Sequence, residues 1–269
     1  MLLEIRNLTI DFETSRQRTR AVDDVSLSVA PGEVVGLVGE SGSGKTTLGL
    51  ALTRLLPEPP ARRRSGTARL NGQDLLSLSP EQLVRIRGSQ IAYVFQEPST
   101  SLNPVMTIGR QMLEALELHT VWRRPAAEKH AAELLTHVGI PSPNERLHAY
   151  PHELSGGMKQ RVMIAMAIAS RPKLLIADEP TTALDVTLER QIITLLKRLQ
   201  LELGLSLLVI SHSIHLVKQL SDRIAVMWQG TLVEVGSTEQ VLTRPHHEYT
   251  QRLLAAQPRI PALEIAQGW

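Results

Sequence analysis

Eight consecutive residues restrict this chain more than any other feature: Gly39-Glu40-Ser41-Gly42-Ser43-Gly44-Lys45-Thr46, followed by Thr47. They match the pattern G-x-x-x-x-G-K-[ST] in full. Glycines let the backbone turn tightly enough for successive N–H groups to face a phosphate. A helix starting directly behind the turn adds the positive end of its dipole. The flanks suit both demands. Glu33–Val38 reads as a buried parallel strand, and Lys45–Leu56 as a helix stopped by Pro57. Lys45 is expected to reach the β- and γ-phosphates of a nucleotide, and the Thr46 hydroxyl to ligate Mg²⁺.

Strand and helix signals alternate along most of the 269 residues, the pattern of an α/β core with a mostly parallel sheet. Leu2–Ile10 and Val25–Val29 open as strands, and Ile91–Phe95 is another. Residues 97–165 change character, with long helical periodicities broken at Pro104, Pro125, Pro141 and Pro151, and read as a helical insertion. Leu174–Ala177 returns to strand. Leu188, Ile192, Leu195, Leu196 and Leu199 mark one helix face, with Gly204 as its C-cap. Leu205–Ile210 is the next strand, and Ile224–Trp228 with Thr231–Val235 form a hairpin around Gln229-Gly230. The expected organisation is a core over 1–96 and 166–235, the insertion over 97–165, and a C-terminal segment over 236–269.

Composition narrows the function classes. A 42% hydrophobic and 21% charged chain is globular rather than disordered. A formal charge of +2 cannot coat a nucleic-acid-binding face unless it clusters. The densest basic run, Arg62-Arg63-Arg64, reads as a solvated loop after Pro57–Pro60, so no nucleic-acid partner is expected. Cysteine is absent, which excludes disulfides, thiolate metal sites and iron–sulfur clusters built from this sequence. Glu4 and Arg6 interrupt the apolar start, so no secretory leader is expected. The longest apolar run, Val162–Ala169, is far shorter than the about 20 residues a membrane span needs, so any membrane role is expected to be peripheral.

Further motifs follow the phosphate loop in a consistent order. Leu174–Ala177 ends in Asp178-Glu179, an acidic pair at the carboxyl edge of the sheet, where ligands bind in open α/β folds. Asp178 is expected to hold Mg²⁺ through its water shell, and Glu179 to act as general base towards the attacking water. Leu154-Ser155-Gly156-Gly157-Met158 opens a helix and offers a second set of phosphate-directed N–H groups. One nucleotide does not need two such loops, so two copies facing head to tail are expected, each closing the other's site. Gln96 follows a strand, where its amide can contact both Mg²⁺ and the attacking water. Asp185 is placed to touch the partner chain, and His212 to hydrogen-bond the γ-phosphate.

Together these residues resemble the ATPase subunit of an ABC transporter, over nearly the whole chain. The resemblance implies a P-loop NTPase core with an antiparallel β part and an inserted helical subdomain. It implies ATP and Mg²⁺ as cofactors. Gly39–Thr47 would be the Walker A segment, Gln96 the Q-loop and Ser155, Gly156 and Gly157 the signature. Asp178 and Glu179 would be Walker B, Asp185 the D-loop and His212 the switch histidine. The family stacks an aromatic residue on adenine from an early strand, which points to Phe12.

Phe95-Gln96-Glu97-Pro98, Tyr150–Met158, Ala177–Thr187 and Arg244–Thr250 are similar to the peptide/nickel branch of importers. That resemblance implies two transmembrane permeases, a second ATPase subunit (a related chain or itself) and an extracytoplasmic solute-binding protein. It also implies a peripheral place on the cytoplasmic face of the inner membrane. Ser213 stands where the switch histidine is usually followed by Asp, and Glu248 where the branch has Pro. The competing class, an ABC-type ATPase acting on nucleic acid or ribosomes, usually carries two cassettes, a long coiled coil or cysteine zinc modules. This sequence has none of these.

Overall fold

The computed structural model describes residues 1–15, 17–119, 124–182 and 184–256. Residues 257–269 of the expected C-terminal segment, and Ala183 of the Ala177–Thr187 motif, lie outside the described residues. The first part of the chain runs β1 (Leu3–Glu13), β2 (Arg18–Val29), β3 (Val34–Val38), α1 (Lys45–Leu52), β4 (Ala61–Leu70), β5 (Gln73–Asp74), α2 (Pro80–Ile86) and β6 (Ile91–Val94). Helices follow: α3 (Pro98–Ser101), α4 (Ile108–Glu117), α5 (Arg124–His137), α6 (Pro143–His148) and α7 (Gly156–Ile168). The chain then returns to β7 (Leu174–Asp178), α8 (Val186–Leu203), β8 (Ser206–Ser211), α9 (Ile214–Leu220), β9 (Arg223–Trp228), β10 (Thr231–Ser237), α10 (Thr238–Thr243) and α11 (Glu248–Ala255).

Six strands form the central sheet in the order β10-β9-β3-β8-β7-β6, all parallel except the edge strand β10. Every residue of β3, β7 and β8 is buried, as expected for strands covered on both faces. Alternate side chains divide between two cores. Val34 and Val38 join the helical side with α4, α5, α7, α8 and α9. Val35 and Leu37 join α1 and the second sheet, which is antiparallel with the order β2-β1-β4-β5.

Local signals explain several boundaries. Gly204 ends α8 in the left-handed region at φ 62°, and Gln229 and Gly230 turn the β9–β10 hairpin at φ 47° and 85°. The helix after the phosphate loop stops at Leu52 rather than Leu56. Arg54 adopts φ 50°, and the Arg54 and Leu55 N–H groups close the end on the Ala51 and Leu50 carbonyls, both at 2.9 Å. Arg87 donates to the Thr53 and Arg54 carbonyls at 2.8 and 2.7 Å, so the helix end is satisfied before Pro57 is reached.

The basic run is not a solvated loop. Arg62, Arg63 and Arg64 lie in β4, antiparallel to β1, with Arg62 opposite Asp11 and Arg63 opposite Ile10. Arg62 pairs with Glu13 at 3.0 Å, and Arg64 pairs with both Glu13 and Asp11. Asp11 has a fully buried side chain and accepts from Arg64 at 2.7 Å, Arg18 at 2.8 Å and Arg20 at 3.3 Å. Cross-strand charge pairing thus decides a segment whose local sequence looks like loop.

Burial alone would push the Asp11 carboxyl up, but the three guanidinium donors hold it below its ordinary value. A depressed folded-state value adds stability that is fully present above the unfolded value, about 3.9, and is lost as pH falls through the folded one. D11N is therefore expected to destabilise the fold by roughly 1–3 kcal/mol at neutral pH, with the gap from wild type narrowing below about pH 4. Denaturant melts at both pH values check this; a gap that does not change with pH would contradict it.

Candidate active site

The parallel pairing sets the site. Val38 stands opposite Ser211, Ile210 opposite Asp178, and Ala177 opposite Val94. Four carboxyl ends therefore finish level, and whatever follows each strand meets at one edge. The phosphate loop leaves β3, Asp178 ends β7 with Glu179 next, His212 follows β8, and Gln96 follows β6.

Glycine is required twice in the loop. A Cβ on Gly44, which has φ 104°, would sit 2.1 Å from the Ala21 carbonyl oxygen, and one on Gly39 would sit 2.1 Å from that of Met227. The loop consequently lies flat against β2 and β9 before α1 begins at Lys45. The Lys45 ammonium is folded over it, donating to the Gly39 and Glu40 carbonyls at 2.9 and 2.7 Å and to Ser43 Oγ at 3.3 Å. Burial lowers the Lys45 pKa, while the Glu179, Asp178 and Glu40 carboxylates partly restore it.

The Thr46 hydroxyl donates to Asp178 Oδ1 at 3.1 Å, joining the loop to β7. The Tyr93 hydroxyl donates to Asp178 Oδ2 at 2.7 Å. Burial raises the Asp178 carboxyl; the Tyr93 and Thr46 hydrogen bonds counter this, Glu179 adds to it and Lys45 opposes it. Tyr93 is itself raised, by burial and then by Asp178. Tyr93 was not legible as a site residue from sequence alone. It pairs in register with Ile176, two residues before Asp178, which places it on the Asp178 face of the sheet.

Glu179 sits at φ 48°, unusual for a residue with a Cβ, and its N–H donates to the Ile210 carbonyl at 2.8 Å. Its Oε1 accepts the His212 N–H at 3.1 Å. Its Oε2 accepts the Thr182 hydroxyl at 2.8 Å and lies 2.6 Å from His212 Nδ1. Strain of this kind concentrates at functional sites. Ser213 caps α9, accepting from the Leu216 N–H at 3.4 Å, so Glu179 rather than residue 213 orients the His212 ring.

These groups surround a cavity of about 570 Å³, lined by Gly39–Gly42, Gly44–Thr47, Gln96, Glu179 and His212, with Ala21 and Leu253. Thr46 and Gln96 bring a hydroxyl and an amide oxygen to its lining, and the Asp178 carboxylate is joined to them through Thr46. Mg²⁺ is typically held by one or two carboxylates together with substrate phosphates, and these residues fit it in that way. Among the described residues no cluster of three or more His, Asp or Glu forms a self-sufficient metal cage.

The remaining expected residues lie elsewhere. Phe12 is in β1 opposite Thr19 and Ala61 and does not line the cavity. Ser155 and Gly156 are exposed at the start of α7, where Ser155 accepts the Met158 N–H at 3.3 Å, and neither they nor Gly157 reach this chain's own cavity. Asp185 caps α8 through the Thr187 and Leu188 N–H groups, both at 2.9 Å, and is exposed.

Comparison with known proteins agrees with this arrangement. Residues 22–182 match the family described as ABC transporter. The chain is 52% identical over 258 residues to the peptidoglycan transport ATP-binding protein YejF of Agrobacterium fabrum, covering 96% of this chain and 47% of that protein. It thus spans about half the length of that relative. Against the oligopeptide transport ATP-binding protein OppD of Bacillus subtilis it is 46% identical, covering 96% of this chain and 72% of that protein. Among solved structures, the dimeric ATP-binding cassette MJ0796 bound to ADP and Pi superposes with a TM-score of 0.78 at 28% identity, covering 88% of this chain and 98% of that one. With the parallel sheet, the phosphate loop and the acidic strand end in place, the chain has the ABC ATPase fold and belongs to the ABC transporter family.

Proposed function

We propose that this chain hydrolyses ATP as the cassette subunit of a solute importer, acting in a pair with a copy of itself or a related chain. The observation that carries the reading is the convergence, at one cavity, of Lys45, Thr46, Gln96, Glu179 and His212, with Asp178 joined to them through the Thr46 hydroxyl. Lys45, released from the loop carbonyls it now contacts, would bind the β- and γ-phosphates. Thr46, Asp178 and Gln96 would hold Mg²⁺, which neutralises charge on the phosphates when bound. Glu179 would take a proton from the attacking water as its oxygen bonds to the γ-phosphorus and the bond to the ADP oxygen breaks. His212, anchored on Glu179, would hydrogen-bond the γ-phosphate, so that the base and the phosphate contact are set by one side-chain contact.

Ser155 and Gly156 are exposed and, like the buried Gly157, do not line their own cavity, which supports a head-to-tail dimer in which this turn closes the partner's nucleotide and Asp185 meets the partner chain. Phe12 remains our candidate for the adenine contact. Residues 97–165 would be the signature-bearing subdomain that docks the permeases. An apolar cavity of about 270 Å³ at its border is lined by Leu55, Tyr93, Phe95, Leu102, Met163 and Met166, among others, and suits a short helix of each permease. Phe95 is 40% exposed there, outside the strand expected to contain it.

Among the described residues no helix is long and apolar enough to cross a membrane. Attachment at the cytoplasmic face through two permeases is the arrangement we favour, with an extracytoplasmic binding protein delivering the solute. The names of the relatives, peptidoglycan and oligopeptide transport proteins, favour a peptide-like cargo over a nickel or other metal chelate. A nucleic-acid role loses support because Arg62 and Arg64 are paired with carboxylates.

Two variants test the chemistry. E179Q is expected to lower turnover by about 10²–10⁴-fold and to accumulate an ATP-bound dimer on size exclusion; wild-type turnover would remove Glu179 from the base role. Y93F deletes a donor to Asp178 and is expected to raise the Mg²⁺ concentration for half-maximal hydrolysis about three- to tenfold, the effect of one lost hydrogen bond. An unchanged Mg²⁺ requirement would show that Tyr93 does not support the metal site.

A further inference from the structure

The phosphate loop is gripped by two segments that come late in the chain. The β9–β10 turn donates the Gly230 N–H to the Ser43 carbonyl at 3.0 Å. The second grip comes from α11, a helix to which no function has been attached above. The Glu40 N–H, at the entry corner of the loop, donates to the Tyr249 hydroxyl at 3.0 Å. Tyr249 is only 2% exposed, and its ring stacks on Trp228 at 5.3 Å with 20° between the planes. One turn further on, Leu253 lines the nucleotide cavity itself.

That helix is firmly held. Glu234 on β10, 8% exposed, accepts the His246 and His247 N–H groups at 2.8 and 3.1 Å. Burial raises the Glu234 carboxyl, but its hydrogen bonds, those from the His246 and His247 N–H groups among them, together bring it below its ordinary value. His247 Nδ1 accepts the Tyr249 N–H at 3.1 Å and caps α11, and Gln251 Nε2 donates to the Pro245 carbonyl at 3.1 Å. His246 and His247 therefore serve as connectors that aim Tyr249, through a carboxylate on the neighbouring strand.

The Glu40 N–H takes the buried Tyr249 hydroxyl as its acceptor, and that bond fixes the corner from which the loop folds. A loop already held in its binding shape loses less conformational freedom when a phosphate arrives. We propose that Tyr249 is a positioning residue for the nucleotide: its hydroxyl and stacked ring brace the phosphate loop, so that the Arg244–Ala255 segment sets ATP affinity. The proposal rests on the ATP-binding role given to the loop above.

The test uses the full chain as wild type and Y249F, with ATPγS binding measured by calorimetry and ATP hydrolysis by steady-state kinetics. Y249F keeps the ring and its stacking and loses only the acceptor for Glu40. Kd for ATPγS and KM for ATP are each expected to rise about fivefold, equivalent to about 1 kcal/mol. kcat is expected to fall less than twofold, because Tyr249 contacts neither Glu179 nor His212. A merely structural loss would reduce the active fraction, lowering kcat while leaving KM unchanged. Unchanged Kd and KM in Y249F overturn the brace, whatever kcat does. A wild-type chain that fails to bind ATPγS overturns the nucleotide role of the loop and the brace with it.

Discussion

The structure depends on the level alignment of parallel strands. β3, β8, β7 and β6 pair so that Val38, Ser211, Ile210, Asp178, Ala177 and Val94 form one edge. Parallel strands need long crossovers, and those crossovers supply the separations in sequence between Lys45, Gln96, Glu179 and His212. Each residue is placed by following the carboxyl end of its strand. Shifting one strand by a single residue would turn its side chains to the other face and dismantle the site.

Within that edge the site is a balance of buried charge. An isolated ammonium or carboxylate is costly to bury, yet Lys45, Asp178 and Glu179 are 6%, 2% and 8% exposed. Each has its own polar partners: Lys45 the loop carbonyls, Asp178 the Thr46 hydroxyl, and Glu179 the Thr182 hydroxyl and His212. Phosphates and a divalent cation can enter such a network by exchanging partners rather than by creating new burial. The positive φ at Glu179 is the visible strain in it.

Most of the candidate site was legible in the sequence because it is encoded in local patterns: the glycine spacing of 39–44 and the apolar strand ending in Asp178-Glu179. Gly204 and Gln229-Gly230 likewise spoke for themselves, since positive φ leaves a compositional trace. What escaped was set by long-range contacts. Arg62–Arg64 became strand because Asp11 and Glu13 face them across β1, and no window around residue 63 contains those carboxylates. α1 ended at Leu52 with Arg54 at positive φ, and Arg87, more than thirty residues on, holds the Thr53 and Arg54 carbonyls just beyond it. Tyr93 and Tyr249 joined the site through neighbours far away in sequence, Asp178 and Glu40, so neither could be recognised before the strands were aligned.

The importer role is tested most directly by a pull-down of the tagged chain from detergent-solubilised native membranes, with the co-purifying proteins identified by mass. Two polytopic permeases and an extracytoplasmic binding protein are the expected companions, and the ligand of that binding protein would name the cargo. Recovery of ribosomal proteins or nucleic acid with no permease would contradict it.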